Sequence, residues 1–238
     1  MSTIEALTTK IYADGADLSA LLRLAGEPHI SGFTTNPTLM RKAGVSDYAG
    51  FAKEVLDHIS DRPISFEVFS DDLGEMREQA LEIASWGPNV FVKIPVMNTR
   101  GEWTDSLVRE LSNDGVQLNV TALMTAAQVD RVAKALAGGA PSNISVFAGR
   151  VADTGQDPVP LMRDSLEAAS QAEAAELIWA SPRELLNIFQ ADEIGCHIIT
   201  VTHDILGKLG LVGKDLDEFS LDTVKMFHGD AQEAGFTI

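Results

Sequence analysis

Val90-Phe91-Val92-Lys93-Ile94-Pro95 is the stretch on which the reading of this chain turns. Aromatic and β-branched residues surround one lysine, and a proline closes the run, which is the composition of a buried strand. Alternate strand residues share a face, so Phe91, Lys93 and Pro95 point one way and Val90, Val92 and Ile94 the other. If both faces are covered, the lysine ammonium lies in an apolar layer. Burial there penalises the cation and favours the neutral amine. A neutral amine in a dry pocket is a nucleophile for imine formation with a ketone. The competing reading is a lysine at a strand end whose head snorkels to water, since buried lysines are rare.

The rest of the chain sets the frame for that lysine. Short apolar runs at 11–14, 30–34, 64–68, 90–95, 116–121, 144–147, 177–180 and 197–201 read as strands. Amphipathic runs at 17–24, 47–59, 72–86, 104–111, 126–136, 160–175, 183–193 and 205–209 read as helices between them. Asp17 and Asp47 stand where helix caps are wanted. Repeated strand-helix units imply parallel strands joined by right-handed crossovers. Eight units at about 29 residues each predict a minimal (β/α)8 TIM barrel, one α/β catalytic domain over 1–238. A doubly wound open sheet is the alternative, without a ligand fingerprint to support it. The amphipathic run 216–227 predicts an additional C-terminal helix. The tail, about 211–238, is expected to pack on the barrel or on a neighbouring subunit.

Composition narrows the partners. The 238 residues carry 18 basic and 35 acidic side chains, a net charge of −17. Such a field disfavours nucleic acid and anionic membranes, and an anionic substrate needs local arginines. The single cysteine, Cys196, excludes an internal disulfide and reads as a small buried hydrophobe in a reducing compartment. No apolar run approaches the roughly 18 residues of a membrane span, and the first ten residues lack a signal-peptide core. A cytoplasmic protein is expected. There is no CxxC pair, Walker loop or GxGxxG run.

A barrel places its chemistry at the C-terminal ends of its strands. Asp14, Thr34-Thr35-Asn36-Pro37, Glu67, Lys93, Asn119 and Thr121, Ser145, Phe147 and Arg150, and Ser181-Pro182-Arg183 all fall there. Each has an ordinary reading when taken alone. Asp14 and Asn36-Pro37 suit turns, Glu67 suits a solvent-facing strand position, and Asn119 and Thr121 suit strand-end backbone bonding. Arg183 suits the outer face of a helix, and His203 a helix cap or a packed residue. Convergence from so many strands weighs against coincidence.

With those residues placed, the chain resembles the transaldolase family, especially its short microbial members. The matching runs are Gly32-Phe33-Thr34-Thr35-Asn36-Pro37-Thr38-Leu39, Val92-Lys93-Ile94-Pro95, Gly115-Val116-Gln117-Leu118-Asn119-Val120-Thr121, Ile144-Ser145-Val146-Phe147-Ala148-Gly149-Arg150 and Ala180-Ser181-Pro182-Arg183. They follow the family's order over most of the chain. The resemblance implies transfer of a dihydroxyacetone unit between sugar phosphates with no metal and no organic cofactor, in a homo-oligomer. It implies Lys93 as the imine-forming lysine and Asp14 as the acid/base at the hydroxyl whose deprotonation starts carbon–carbon cleavage. Glu67 and Thr121 would hold the water that shuttles protons. Asn36 and Asn119 would hold the dihydroxyacetone hydroxyls, with Ser145 and Thr34 lining the pocket, and Arg150, Arg183 and Ser181 would take the phosphate.

Two positions discriminate within the family. Fructose-6-phosphate aldolases carry Gln at the Glu67 position and Tyr at the Phe147 position, whereas this chain has the transferase pattern. The alternatives are therefore an aldolase that releases dihydroxyacetone and a non-catalytic sugar-phosphate-binding barrel. The chain departs from the family at Gly15, where a Thr is usual, at Met97-Asn98, at Val146 and at His203, where many members have Pro.

Overall fold

The computed structural model describes residues 4–238. Eight strands, all parallel, close into a barrel in chain order: β1 (Lys10–Asp14), β2 (Ile30–Thr34), β3 (Ile64–Glu67), β4 (Val90–Pro95), β5 (Leu118–Leu123), β6 (Ser142–Val146), β7 (Ala175–Trp179) and β8 (Ile198–Thr202). β1 pairs with β8 and completes the ring, as a (β/α)8 barrel requires. The helices are α1 (Leu18–Ala25), α2 (Pro37–Lys42), α3 (Tyr48–His58), α4 (Leu73–Ala84), α5 (Asp105–Asn113), α6 (Ala126–Leu136), α7 (Ala148–Ala152), α8 (Pro158–Ala169), α9 (Leu186–Glu193), α10 (His203–Leu206) and α11 (Leu216–Glu233). Asp17, Asp47 and Asp72 cap α1, α3 and α4 with their carboxylates.

Strand alternation splits the buried residues into two compartments. Val92, Ile94, Leu118, Val120, Ile144, Val146 and Trp179 face the helices and join one large apolar cluster. Tyr12, Ile178, Ala180 and Ile198 form a separate small cluster, with Phe147 packed against it. The buried polar residues include Thr34, Ser65, Lys93, Asn119, Thr121, Ser145 and Thr200. Burial of the outer layer stabilises the barrel, so the inner layer is free to carry polar groups that need partners.

Several boundaries move from the expectation. β5 runs two residues further, with a bulge between Val120 and Leu123 where Ala122 takes φ 66°. β7 starts at Ala175 because α8 ends at Ala169, earlier than its apolar pattern implied; Asp157 and Pro158 also start α8 two residues sooner. α2 and α7 were not expected, and Phe147 stands just before α7 instead of ending β6. α9 begins at Leu186 rather than at residue 183. The C-terminal helix is present and longer than expected, but no residue of α11 is buried. Leu216, Leu221, Val224, Met226 and Phe227 are exposed on it.

Candidate active site

Adjacent strands bring the central groups to one level. Glu67 pairs in register with Lys93, and Lys93 with Asn119. The Lys93 side chain is buried, yet its setting is polar, against the expectation of an apolar layer. Its Nζ donates to the Thr35 carbonyl at 3.0 Å and lies 3.4 Å from Glu67 Oε2. These contacts replace water for the ammonium and keep the amine inside the barrel rather than snorkelling.

Two carboxyls lie in the same cavity as this amine, Glu67 in contact with it and Asp14 bonded to Thr34. Burial pushes the Asp14 carboxyl above its ordinary range; the charge of Lys93, the Thr34 bond and His203 pull it back. Burial likewise raises Glu67, against the pull of Lys93 and with a further push from Asp14. In both cases desolvation wins. Each carboxyl can therefore hold a proton nearer to neutral pH than an exposed one does, which suits a group that must take a proton and return it. The Thr34 hydroxyl donates to Asp14 Oδ1 at 2.8 Å and is itself paired with the Thr200 hydroxyl. The chain of bonds fixes the orientation of Asp14.

A cavity of about 450 Å³ opens above these groups. Of the residues expected from the sequence, Asp14, Thr34, Asn36, Glu67, Lys93, Thr121, Ser145, Phe147, Arg150, Ser181 and Arg183 line it. Asn119 does not. It is fully buried, its amide donating to Ser65 Oγ at 2.9 Å and accepting from Ser145 Oγ at 2.7 Å. Its observed contacts hold Ser145. Asn36 uses its carbonyl oxygen to cap α2 through the Leu39 N–H, which leaves its amide NH2 for a ligand. The Thr121 hydroxyl is buried in the lining and has no protein partner.

Two arginines complete the lining. Arg150 lies on α7 with its guanidinium 5.4 Å from the Phe147 ring centroid. Arg183 lines the cavity too, but its fork is held by both oxygens of Asp153, at the end of α7. Gly149 lets α7 touch the turn that follows β7: a Cβ there would fall 1.5 Å from the Ser181 carbonyl oxygen. Ser181 itself takes φ 57°, a strained conformation for a residue with a side chain.

Sequence reading missed several supports. Tyr48, at the start of α3, closes both backbone groups of Glu67. Its hydroxyl donates to the Glu67 carbonyl and accepts from the Glu67 N–H, each at 2.7 Å. Ser65, Thr200, Asp153 and the cavity-lining Lys42 were also missed. Strand alternation could have found Ser65, two residues before Glu67, and Thr200, between Ile199 and Val201; no local signal marks Asp153 or Lys42. Among the described residues no cluster of His, Cys, Asp and Glu could hold a metal. No helix among them is long and apolar enough to cross a membrane. Cys196 is free and buried, its thiol pushed up by burial to about 12.

A closed parallel barrel whose C-terminal mouth holds a buried lysine 3.4 Å from one carboxylate, with a second, Asp14, lining the same cavity, is the architecture of an enzyme of the aldolase and transaldolase type. Residues 11–238 match the family model for transaldolase/fructose-6-phosphate aldolase. The chain is 33% identical over 230 residues to a probable transaldolase of Thermoanaerobacter sp. (strain X514), covering 96% of this chain and 100% of that one. It is 36% identical over 217 residues to one of Streptococcus agalactiae serotype V, covering 90% and 96%. A probable transaldolase of Dehalococcoides mccartyi is 34% identical over 198 residues, 83% of this chain and 88% of the relative. The chain belongs to the transaldolase/fructose-6-phosphate aldolase family. A mandelate oxidase mutant with a monooxide FMN adduct superposes with a TM-score of 0.58 over 91% of this chain and 71% of its own. At 12% identity that likeness shows the barrel fold alone.

Two outcomes follow from this geometry. Because the folded protein raises the Asp14 carboxyl, its ionised form opposes folding. Its stabilising contribution is complete below the ordinary Asp range and is lost as pH rises through the folded value. Asp14→Asn is thus expected to raise the melting temperature at pH 7 while removing activity. A lower melting temperature at pH 7 would contradict the balance. Tyr48→Phe strips both Glu67 backbone groups of their partner and should cost about 1–3 kcal/mol by denaturant titration. It should also reduce turnover.

Proposed function

We propose that the protein is a transaldolase that works through an imine on Lys93. The observation carrying this reading is the buried Lys93 amine, held 3.4 Å from Glu67 in the cavity that Asp14 also lines. In the proposed cycle Glu67 takes a proton from the Lys93 ammonium, the freed amine adds to the C2 carbonyl of a ketose phosphate, and the proton returns to the carbinolamine hydroxyl as water leaves. Glu67 and the unpartnered Thr121 hydroxyl hold that water and pass its protons. Asp14 then takes the C4 hydroxyl proton, and the C3–C4 bond breaks. The bonding pair enters the protonated imine to give an enamine, and an aldose phosphate departs. An acceptor aldehyde reverses these steps: the enamine carbon attacks its carbonyl, Asp14 returns the proton, and water releases the new ketose.

Donors such as sedoheptulose 7-phosphate or fructose 6-phosphate, and acceptors such as erythrose 4-phosphate or glyceraldehyde 3-phosphate, fit a pocket with its amine deep inside and Arg150 and Arg183 on its wall. These are substrates of the pentose phosphate pathway, and cytoplasmic location belongs to the same reading. Asn36 contributes its free amide to the three-carbon unit, and Asn119 contributes by fixing Ser145. Glu67 and Phe147 favour transfer over release, because an ionisable carboxyl beside the amine and a site without a phenol suit an intermediate that waits for its acceptor. A second copy of the chain is the proposed partner for α11. A lone helix with no buried face is marginal in water, and its exposed apolar residues suit a matching surface.

The test is acceptor dependence. With fructose 6-phosphate alone, turnover should be slow; adding erythrose 4-phosphate should raise it by roughly tenfold or more, with sedoheptulose 7-phosphate and glyceraldehyde 3-phosphate as products. Lys93→Ala should abolish the reaction. Rapid release of dihydroxyacetone without acceptor would show an aldolase instead.

A further inference from the structure

Gly15 follows Asp14 directly. It has no positive φ, so its backbone does not call for glycine. Space does: a Cβ at this position would lie 2.7 Å from His203 Nε2 and 2.9 Å from Cε1. The imidazole occupies the place a side chain at residue 15 would take. Gly15 and His203, noted separately as departures from the family pattern, are therefore two halves of one contact. His203 is the first residue of α10, and its carbonyl closes that turn by accepting from the Gly207 N–H at 2.9 Å. Its Nε2 is buried and has no hydrogen-bond partner in the protein. A packed histidine with only a space-filling role normally spends its ring nitrogens on neighbours; this one keeps Nε2 uncommitted beside the backbone that carries Asp14.

We propose that His203 is a positioning residue for Asp14, which holds the β1 end through Gly15 and couples the protonation of the imidazole to that of the carboxyl. The proposal rests on the role given to Asp14 above and deepens it. The charged groups around the ring are Asp14 on β1, Asp17 at the cap of α1, Arg23 on α1, and Asp204 on its own helix. Burial first, then Arg23, disfavours the imidazolium; Asp17, Asp14 and Asp204 favour it. Asp204 is already engaged by the Thr202 hydroxyl and Asp17 by α1, so Asp14 is the partner whose charge the reaction itself changes. Near neutral pH the ring is neutral and Asp14 keeps the raised proton affinity that burial gives it. As pH falls, the imidazolium attracts the carboxylate and resists its protonation. Asp14 then remains a base, ready for the C4 hydroxyl, further into acid than it could alone. The coupling is reciprocal, so the charge of Asp14 must shift His203 as well.

The test measures both directions. In the full-length protein, the His203 imidazole is titrated by NMR and identified by its through-space contact with the Gly15 α-protons. Its midpoint should lie below that of an exposed histidine and fall further in Asp14→Asn. This arm does not depend on the sugar chemistry, so failure of the transaldolase reading would leave it intact. In the kinetic arm, His203→Gln keeps a polar side chain that does not titrate. The acid limb of its kcat profile should move to higher pH, with kcat lowered at least about twofold on that limb and KM little changed. A His203 midpoint unmoved by Asp14→Asn would overturn the proposal. A His203→Gln profile that falls equally at every pH would do so too, leaving the ring a packing element. If His203→Gln does not fold, the wild-type and Asp14→Asn titrations decide alone.

Discussion

The structure depends on how one buried ammonium is held. Lys93 sits inside a barrel with the Thr35 carbonyl at 3.0 Å and the Glu67 carboxylate at 3.4 Å. A charged amine removed from water without partners would be strongly unfavourable, so these contacts are conditions for the lysine being there. They impose conditions in turn. Glu67 must be aimed, which Tyr48 does by closing its backbone groups. Thr35 must present its carbonyl inward at the end of β2, where Asn36 caps α2 and turns the chain. The two raised carboxyls and the amine form one charge-coupled group, and no member can be changed without moving the others.

The barrel explains why such a group can be built. Its stability comes from the apolar layer between strands and helices, where Val92, Ile94, Ile144 and Trp179 are buried. The inward residues of the same strands are released from that duty. The Ser65–Asn119–Ser145 chain links β3, β5 and β6, and the Asp14–Thr34–Thr200 chain links β1, β2 and β8, so hydrogen bonds inside the barrel tie together strands that are not all sheet neighbours. Rigid strands supply the precision; α7 carries Arg150, and the turn after β7, strained at Ser181, carries Arg183.

Much of this was legible in the residues. Alternation placed Lys93 inward, and strand ends collected the polar groups that line the cavity. What the sequence did not show falls into two kinds. Short helices such as α2 and α7 span less than two turns, too few residues for a helical period to register. Long-range partnerships have no local signal: Asp153 holding Arg183, Tyr48 holding Glu67 and His203 seated on Gly15 join residues far apart in the chain. The polar setting of Lys93 was hidden for the same reason, since the Thr35 carbonyl belongs to the turn after β2, far away in the chain. Asn119 shows a related limit. Its position on an inward face was correct, yet its amide is spent on Ser65 and Ser145, which alternation cannot reveal.

An imine between Lys93 and the substrate can be trapped by borohydride, which reduces it to a stable secondary amine. The protein is mixed with fructose 6-phosphate, reduced, digested and its peptides weighed. A reduced three-carbon adduct is expected on the peptide containing Lys93, and its loss when erythrose 4-phosphate is added before the reductant. An adduct on another lysine, or a folded and active enzyme that carries none, would contradict an imine on Lys93.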